Sequence, residues 1–295
     1  MALTEEQIKF RDGKGYKVED TFTNLKNNYF QPIIEEEKRI IEEHEKALFG
    51  KVGCGGAFSY GCLLPMFFGF ILMLIPIFSE NPYLKTIVFA LIFTLPEYFA
   101  IVWYNNSEFQ DKHKGTSPQH IKTIRGLLLP FTGVISQDLK DDSKITLVTN
   151  LKEITNSANK LSNSQIAEKG ITMKRGLSVY ESDIMDLTAT MADGTRVNYN
   201  LHQILNEVFI YKKRGSKHKE KGKITLKAIF VVPLKTYSPL PEGQLEIGDY
   251  VAIVNGSERN QKITVKEVFE TTKLNEELIR EKAVDMMAAV YSVLS

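Results

Sequence analysis

Two long apolar stretches dominate the hydrophobic pattern of the chain. They run from Ala57 to Ser79 and from Thr86 to Tyr104, and only six residues separate them. No residue from Val52 through Ser79 is charged. An α-helix rises about 1.5 Å per residue, so roughly 20 apolar residues cross a bilayer core of about 30 Å. The pattern therefore predicts a transmembrane helical hairpin over residues 52–104.

Basic residues indicate how this hairpin would be oriented. Lys46 and Lys51 precede the first stretch, Lys112 and Lys114 follow the second, and the turn between them has only Lys85. The positive-inside rule then places both chain termini in the cytoplasm. We therefore expect an integral protein of the plasma (inner) membrane with both termini on its cytoplasmic side.

Small residues recur within the first stretch. Ala57, Gly61, Pro65 and Gly69 lie four residues apart and so share one face of a helix. Small side chains let two helices approach closely in lipid, where burial of apolar surface no longer drives association. This face is predicted to pack either against the second helix of the same hairpin or against another copy.

Glu97 is the one ionisable residue of the second stretch. A carboxylate inside a bilayer is costly unless it is paired, protonated or hydrated. One interpretation is a proton or cation pathway. The other is that Glu97 reaches the headgroups, because Trp103 and Tyr104 indicate a nearby membrane interface.

Polar segments lie on both sides of the hairpin. Residues 1–51 form an N-terminal segment in which Pro32 begins an amphipathic helix, with Ile34, Ile41 and Leu48 spaced seven apart. Residues 105–117 read as a linker. The remainder, 118–295, has the length of one ordinary domain.

The pattern in residues 118–295 predicts an α+β domain. A helix starts at Pro118 with Ser117 as its cap, and a final helix starts near Asn275. Met185 to Met191 alternates in polarity and is followed by the turn Ala192-Asp193-Gly194, which predicts a β-hairpin. Further elements are a short helix over 151–161 and strands over 144–149, 208–212, 223–232, 249–254 and 262–269. The predicted fold class is a two-helix transmembrane hairpin plus a cytoplasmic α+β domain with a mainly antiparallel sheet.

Composition changes this picture little. The chain is 43% hydrophobic and 25% charged, with a net charge of +1. These averages are typical of a water-soluble protein, but the apolar residues concentrate in 52–104. The net charge by itself does not indicate a nucleic-acid partner.

Positive charge concentrates in one place, between two predicted strands. A single acid, Glu220, lies among these basic residues: Lys212, Lys213, Arg214, Lys217, Lys219, Lys221, Lys223 and Lys227. Such a cluster binds anionic lipid headgroups at a cytoplasmic membrane surface, or a protein partner. Nucleic acid is less favoured, because no aromatic side chains interleave with the lysines. The remaining interpretation is a long solvated hairpin with a basic tip.

No residue is predicted to be catalytic, to bind a cofactor or to ligate a metal. Ser157 and Lys160 have the spacing of penicillin-recognising enzymes, but the companion motifs are missing. Gly215 and Gly222 lack the spacing of a phosphate-binding loop. The spacing of His113 and His120 does not match that of any usual metal site.

Three functions remain on sequence grounds. The favoured one is a membrane-anchored, non-enzymatic interaction or scaffold protein that presents its cytoplasmic domain to a protein partner, to itself or to lipid. The first alternative is an oligomeric channel or pore-forming effector gated by that domain. The second is a membrane-bound enzyme whose site uses residues such as Asp183, Asp186 and Glu207.

Overall fold

A computed structural model describes residues 3–50, 118–140, 143–167, 174–212 and 215–294, with side-chain surroundings for most of them. The chain divides into two compact units. One unit contains Met1–Ile34 and Ser117–Ser295, and the other contains Glu35–Thr116.

Six α-helices lie in the described residues. The helices are α1 (Glu5–Asp12), α2 (Phe22–Leu25), α3 (Gln31–Gly50), α4 (Pro118–Thr123), α5 (Leu129–Gln137) and α6 (Glu276–Leu294). A π-turn over Ile124–Leu128 joins α4 to α5 in one continuous helical rod. Pro130 explains this turn, because proline lacks an amide N–H and its ring displaces the carbonyl four residues earlier.

Nine strands form one antiparallel sheet in the described part of the chain. The strands are β1 (Lys14–Asp20), β2 (Ile145–Asn150), β3 (Lys160–Ala167), β4 (Lys174–Thr190), β5 (Arg196–Lys212), β6 (Gly215–Pro233), β7 (Gly243–Ile247), β8 (Tyr250–Gly256) and β9 (Asn260–Phe269). Their order across the sheet is β1-β2-β4-β5-β6-β9-β8-β7, and β3 pairs with β4 beyond β2.

Three long strands give the sheet its shape. β4 and β5 each have 17 residues and β6 has 19. β9 pairs with β6 only from Ile224 to Pro233, so the other half of β6 continues past its neighbour. The distal parts of β4, β5 and β6, with β3 along β4, are called the arm below.

One face of the sheet packs against α5 and α6. Tyr199 of β5 is fully buried, and its hydroxyl donates a hydrogen bond to the carbonyl oxygen of Ala283 in α6 at 3.1 Å. Phe131 of α5 meets the Tyr199 ring edge-on, with centroids 4.9 Å apart. Alternate residues along β5 therefore face a helical layer, as expected for a half-buried strand.

The predicted fold class is corrected by the described residues. The hairpin over 52–104, with Ala57, Gly61, Pro65, Gly69 and Glu97, lies outside them. None of the helices that the structure describes is long and apolar enough to cross a membrane. What the structure supports is a mostly antiparallel sheet of nine strands with a few helices.

The predictions that depended on a spanning helix are corrected with it. They are the membrane-anchored scaffold, the channel, the membrane-bound enzyme and the integral membrane location with cytoplasmic termini. A span needs roughly 20 predominantly apolar residues. The two longest described helices, α3 and α6, instead contain charged side chains through much of their length.

Element by element, the agreement is mixed. The hairpin turning at Asp193 and the final helix are confirmed. The helix over 151–161 is wrong, because these residues form a loop, one 3-10 turn and the start of β3. The strand over 208–212 is the end of the 17-residue β5. Polar residues in the interior of β5 interrupt the alternation of apolar and polar positions that predicts a strand. The sequence pattern therefore indicated only the end of β5.

Candidate functional site

A cleft of about 520 Å³ lies on the helix-covered side of the sheet, beside the start of the arm. Its floor comes from β4, β5 and β6, and its walls come from α4, the loop after β2 and the segment entering α6. Its lining includes the side chains of Lys122, Lys152, Ile184, Gln203, Leu205, Glu220 and Lys273.

The wall leading into α6 depends on a glycine. The chain leaving β9 crosses β6 at Gly222, where a Cβ atom would come within 2.5 Å of the Thr272 Cα atom. Gln203 holds the same segment, since its side-chain amide donates to the carbonyl oxygen of Thr272 at 3.1 Å. Only a residue without a side chain permits this close crossing.

The opposite wall is tied to the sheet by buried amides. The Asn150 side chain donates to the Asn159 side-chain oxygen at 2.8 Å and to the Ser182 hydroxyl at 2.9 Å. Asn159 in turn donates to the carbonyl oxygen of Glu153 at 2.9 Å. Because Asn150 and Asn159 are buried, these bonds replace lost contacts with water and order the loop.

Next to the cleft, two carboxylates and an imidazole converge. Glu207 of β5 and Glu220 of β6 are directly paired in register, and His218 precedes Glu220 by two residues on the same face. His218 Nε2 lies 3.8 Å from Glu207 Oε1, and His218 Nδ1 lies 3.6 Å from Glu220 Oε1. These three residues are called the Glu-His-Glu cluster.

Neighbouring aromatic residues hold the cluster in place. The imidazole of His218 stacks on Phe209, with ring centroids 4.3 Å apart and an angle of 13° between the planes. Tyr180 interacts electrostatically with Glu207. Burial raises the pKa of Tyr180, and the negative charge of Glu207 raises it further. Tyr180 therefore stays protonated beside the carboxylate.

The geometry of the cluster suits a divalent metal ion. One ligand atom from each residue lies within 4.8 Å of those of the other two. Ligands about 2.1 Å from a tetrahedral zinc ion stand roughly 3.4 Å apart, so only small movements would be needed. One imidazole and two carboxylates would leave a further coordination position, as in metal sites that bind a second ligand.

Glu220 belongs to both features, because it lines the cleft and is a member of the cluster. A metal ion held there would therefore lie at the edge of the cleft. The cleft also has three lysines, Lys122, Lys152 and Lys273, and two further carboxylates, Glu153 and Glu276. With Glu220 neutralised by a metal, the lining has an excess of positive charge.

The predicted basic cluster divides between places in the fold. Lys217, Lys219, Lys221 and Lys223 are exposed and alternate with His218 and Glu220 along β6, so they occupy the face opposite the cleft. Lys227 is half-buried and pairs in register with Lys266. Lys212 ends β5, and Lys213 and Arg214 lie outside the described residues.

The three residues considered for an enzyme do not come together. Asp183 contacts His202 at 2.8 Å, and Asp186 accepts a hydrogen bond from Asn198 at 2.6 Å. His202 is five residues from Glu207 on β5, so strand alternation places the two on opposite faces. Of the three, only Glu207 belongs to the cluster.

Sequence reasoning missed the cluster because it depends on strand register. In the sequence, Glu220 stands out only as a single acid among lysines, and no motif draws attention to His218. The signal was present in the hairpin itself: the pairing of Lys212 with Gly215 brings Glu207 opposite Glu220. Locating this strand pairing would have located the cluster.

Comparisons with protein-family models, with curated proteins and with solved structures found no match.

Proposed function

We propose that this protein is a metal-dependent binding protein, in which Glu207, His218 and Glu220 hold a divalent transition-metal ion at the edge of the cleft. The observation that supports it most directly is the position of Glu220 in both the cluster and the cleft. Imidazole favours zinc-like ions, whereas carboxylates alone favour magnesium or calcium. The mixed set therefore favours Zn²⁺ over Mg²⁺.

The ligand in this proposal is a small anion, such as a carboxylate or phosphate compound. Two glutamates neutralise the charge of Zn²⁺, and the three lysines of the cleft then outnumber Glu153 and Glu276. The open coordination position and the lysines would bind the same anion from two sides. Holding the anion in this way requires no nucleophilic side chain. The proposed activity is therefore binding and not a reaction.

The test is calorimetric titration of the untagged, full-length protein with Zn²⁺. We expect one ion per chain, with affinity reduced about 100-fold or more in Glu207→Gln and His218→Gln. The matched control is His202→Gln. His202 also lies between two carboxylates, at 3.1 Å from Glu181 and 2.8 Å from Asp183. Unlike the cluster, however, these three described residues do not bring one ligand atom each within 4.8 Å of one another.

Zinc binding that is equal in His218→Gln and His202→Gln would overturn the metal site. A second measurement concerns the anion: phosphate or oxalate should bind to the zinc-loaded protein, and Lys152→Gln should weaken this binding. Zinc binding that leaves anion affinity unchanged would overturn the ligand part alone. Cobalt substitution gives an independent readout, since the absorption of Co²⁺ reports its coordination geometry.

A further inference from the structure

One edge of the arm, along the first half of β6, is unpaired among the described strands. β6 pairs with β5 from Gly215 to Val231, but β9 covers its other edge only from Ile224 onward. Among the described residues, no strand pairs with β6 from Gly215 to Lys223 on that side. An uncovered edge of this length presents backbone donors and acceptors that can bind a further strand.

A row of positive charge follows this edge. Lys217, Lys219, Lys221 and Lys223 are all exposed and lie on one face, about 6.8 Å apart. Their register partners on β5 are Ile210, Val208, Asn206 and Ile204, none of which is charged. In the described part of the chain, none of the four lysines forms an ion pair. Their charge is therefore available to a molecule that approaches the edge.

These lysines disfavour one occupant of the edge and favour another. Pairing between two copies of β6 would bring two lysine rows side by side, and like charges on adjacent strands are destabilising. An acidic segment would instead bring a carboxylate next to each lysine. The edge thus rejects its own copy and selects a partner of opposite charge.

We propose that the open edge of β6, residues 216–221, binds an acidic peptide segment of a partner protein as an added antiparallel or parallel strand. Main-chain hydrogen bonds supply part of the affinity, and carboxylates at alternate positions pair with Lys217, Lys219 and Lys221. Lys217, Lys219 and Lys221 lie on the face of β6 opposite to the cleft. Strand addition requires neither a metal ion nor a ligand in the cleft.

The probe is an eight-residue synthetic peptide that alternates glutamate and threonine, titrated into the full-length protein. We expect binding, together with slower hydrogen exchange at the amides of 216–221 that point away from β5. The control peptide has the same side chains but methyl groups on every peptide nitrogen. It keeps all of the charge and cannot donate strand hydrogen bonds, so it should bind at least about tenfold more weakly.

Protein variants test the lysines. The triple change Lys217→Glu, Lys219→Glu and Lys221→Glu should weaken peptide binding by about tenfold or more. The matched control is Lys262→Glu with Lys266→Glu, because both lysines are exposed on β9 and lie beside a paired strand edge. Lys262 is paired with both β6 and β8, and Lys266 is paired with β6. Should the charge reversal unfold the arm, the corresponding triple change to glutamine replaces it.

Three outcomes would overturn the proposal. The first is equal affinity for the methylated and unmethylated peptides, which would mean attraction by charge alone. The second is the absence of hydrogen-exchange protection at 216–221 when the peptide is bound. The third is binding of anionic lipid vesicles or of single-stranded oligonucleotide, lost in the lysine variant, without binding of the peptide.

Discussion

Glu207 and Glu220 face each other across β5 and β6, so two carboxylates occupy directly opposed positions in the sheet. The side chain of Glu207 is only 12% exposed, whereas that of Glu220 is 44% exposed. Like charges at such positions repel, typically by about 0.2–1 kcal/mol. A cation placed between them converts that repulsion into attraction. The two carboxylates are therefore suited to binding a cation, whereas a neutral pair is not.

Glu220→Gln should therefore change stability in opposite directions without and with metal. In metal-free buffer, we expect the free energy of unfolding to rise by about 0.5 kcal/mol, because the repulsion is removed. In the presence of zinc, the unchanged protein should gain about 2.7 kcal/mol at 100 times its dissociation constant, and the variant should gain far less. Urea unfolding with and without Zn²⁺ measures both effects.

Glu246→Gln is the control for this prediction, because Glu246 is exposed on β7 and pairs in register with Val251. It should leave both free energies unchanged. A Glu220→Gln protein that keeps the full stabilisation by zinc would remove Glu220 from the metal site.

Gly222→Ala should destabilise the domain and alter the cleft. The added Cβ atom would come within 2.5 Å of Thr272 Cα and within 2.8 Å of the Thr271 carbonyl carbon. Backbone atoms cannot turn aside as a side chain does, so we expect a loss of about 1–3 kcal/mol in the free energy of unfolding. Chemical denaturation measures it.

Gly176→Ala is the matched change on β4, where the nearest atom would be Phe209 Cβ at an ordinary 3.8 Å. It should be nearly neutral or slightly stabilising, because glycine weakens a strand. Similar losses in the two variants would show that strand glycine itself, rather than the crossing chain, is responsible.

Asp193→Asn should weaken the β4–β5 turn in a pH-dependent way. The carboxylate accepts hydrogen bonds from the hydroxyls of Tyr237 at 2.7 Å, Thr195 at 2.8 Å and Tyr291 at 3.1 Å. Burial raises the pKa of Asp193, but these bonds outweigh it and the net pKa is lowered. The same interaction raises the pKa of Tyr237 to about 12.

A lowered pKa determines the sign of the effect. The stabilisation is complete above the unfolded pKa of about 3.9 and is lost as the pH falls through the folded pKa. Asp193→Asn should thus cost about 1–3 kcal/mol at pH 7, and the difference should shrink below pH 4. Urea unfolding at several pH values measures it, with the exposed Asp249→Asn as a control. A penalty independent of pH would contradict the role of the ionised carboxylate.

His120→Phe should reduce the acid sensitivity of the fold. His120 is 5% exposed, and its Nδ1 atom has no hydrogen-bond partner among the described residues. Burial lowers the pKa of His120, with Arg11 and Lys152 lowering it further and Asp12 and Glu153 opposing them. The unfolded chain therefore takes up a proton at a higher pH than the folded one does.

It follows that His120 makes the folded state lose stability as the pH falls below about 6.5, by at most about 1.4 kcal/mol per pH unit. The variant should match the unchanged protein at pH 8 and exceed it at pH 5. Thermal or urea unfolding across this range measures the difference. Parallel pH profiles for the two proteins would contradict the prediction.

Local patterns in the sequence predicted a substantial part of the sheet and helices over residues 118–295. The hairpin at Asp193 was predictable, because alternation in Met185, Leu187 and Ala189 has the two-residue period of a half-buried strand and a turn follows it. The short helix over 151–161 was mispredicted, because burial of Asn150 and Asn159 in a hydrogen-bonded loop has no periodic signature. The cleft and the Glu-His-Glu cluster were not predicted.

What the sequence by itself determined is the class of each strongly periodic segment, since periodicity reports which side chains avoid water. It determined neither the order of the strands nor their register, because these depend on contacts between residues far apart in the chain. Register decided that Glu207, His218 and Glu220 meet on one face of the arm and that the lysines of β6 lie on the other. The length of β6 beyond β9 left the first half of the β6 edge unpaired among the described strands.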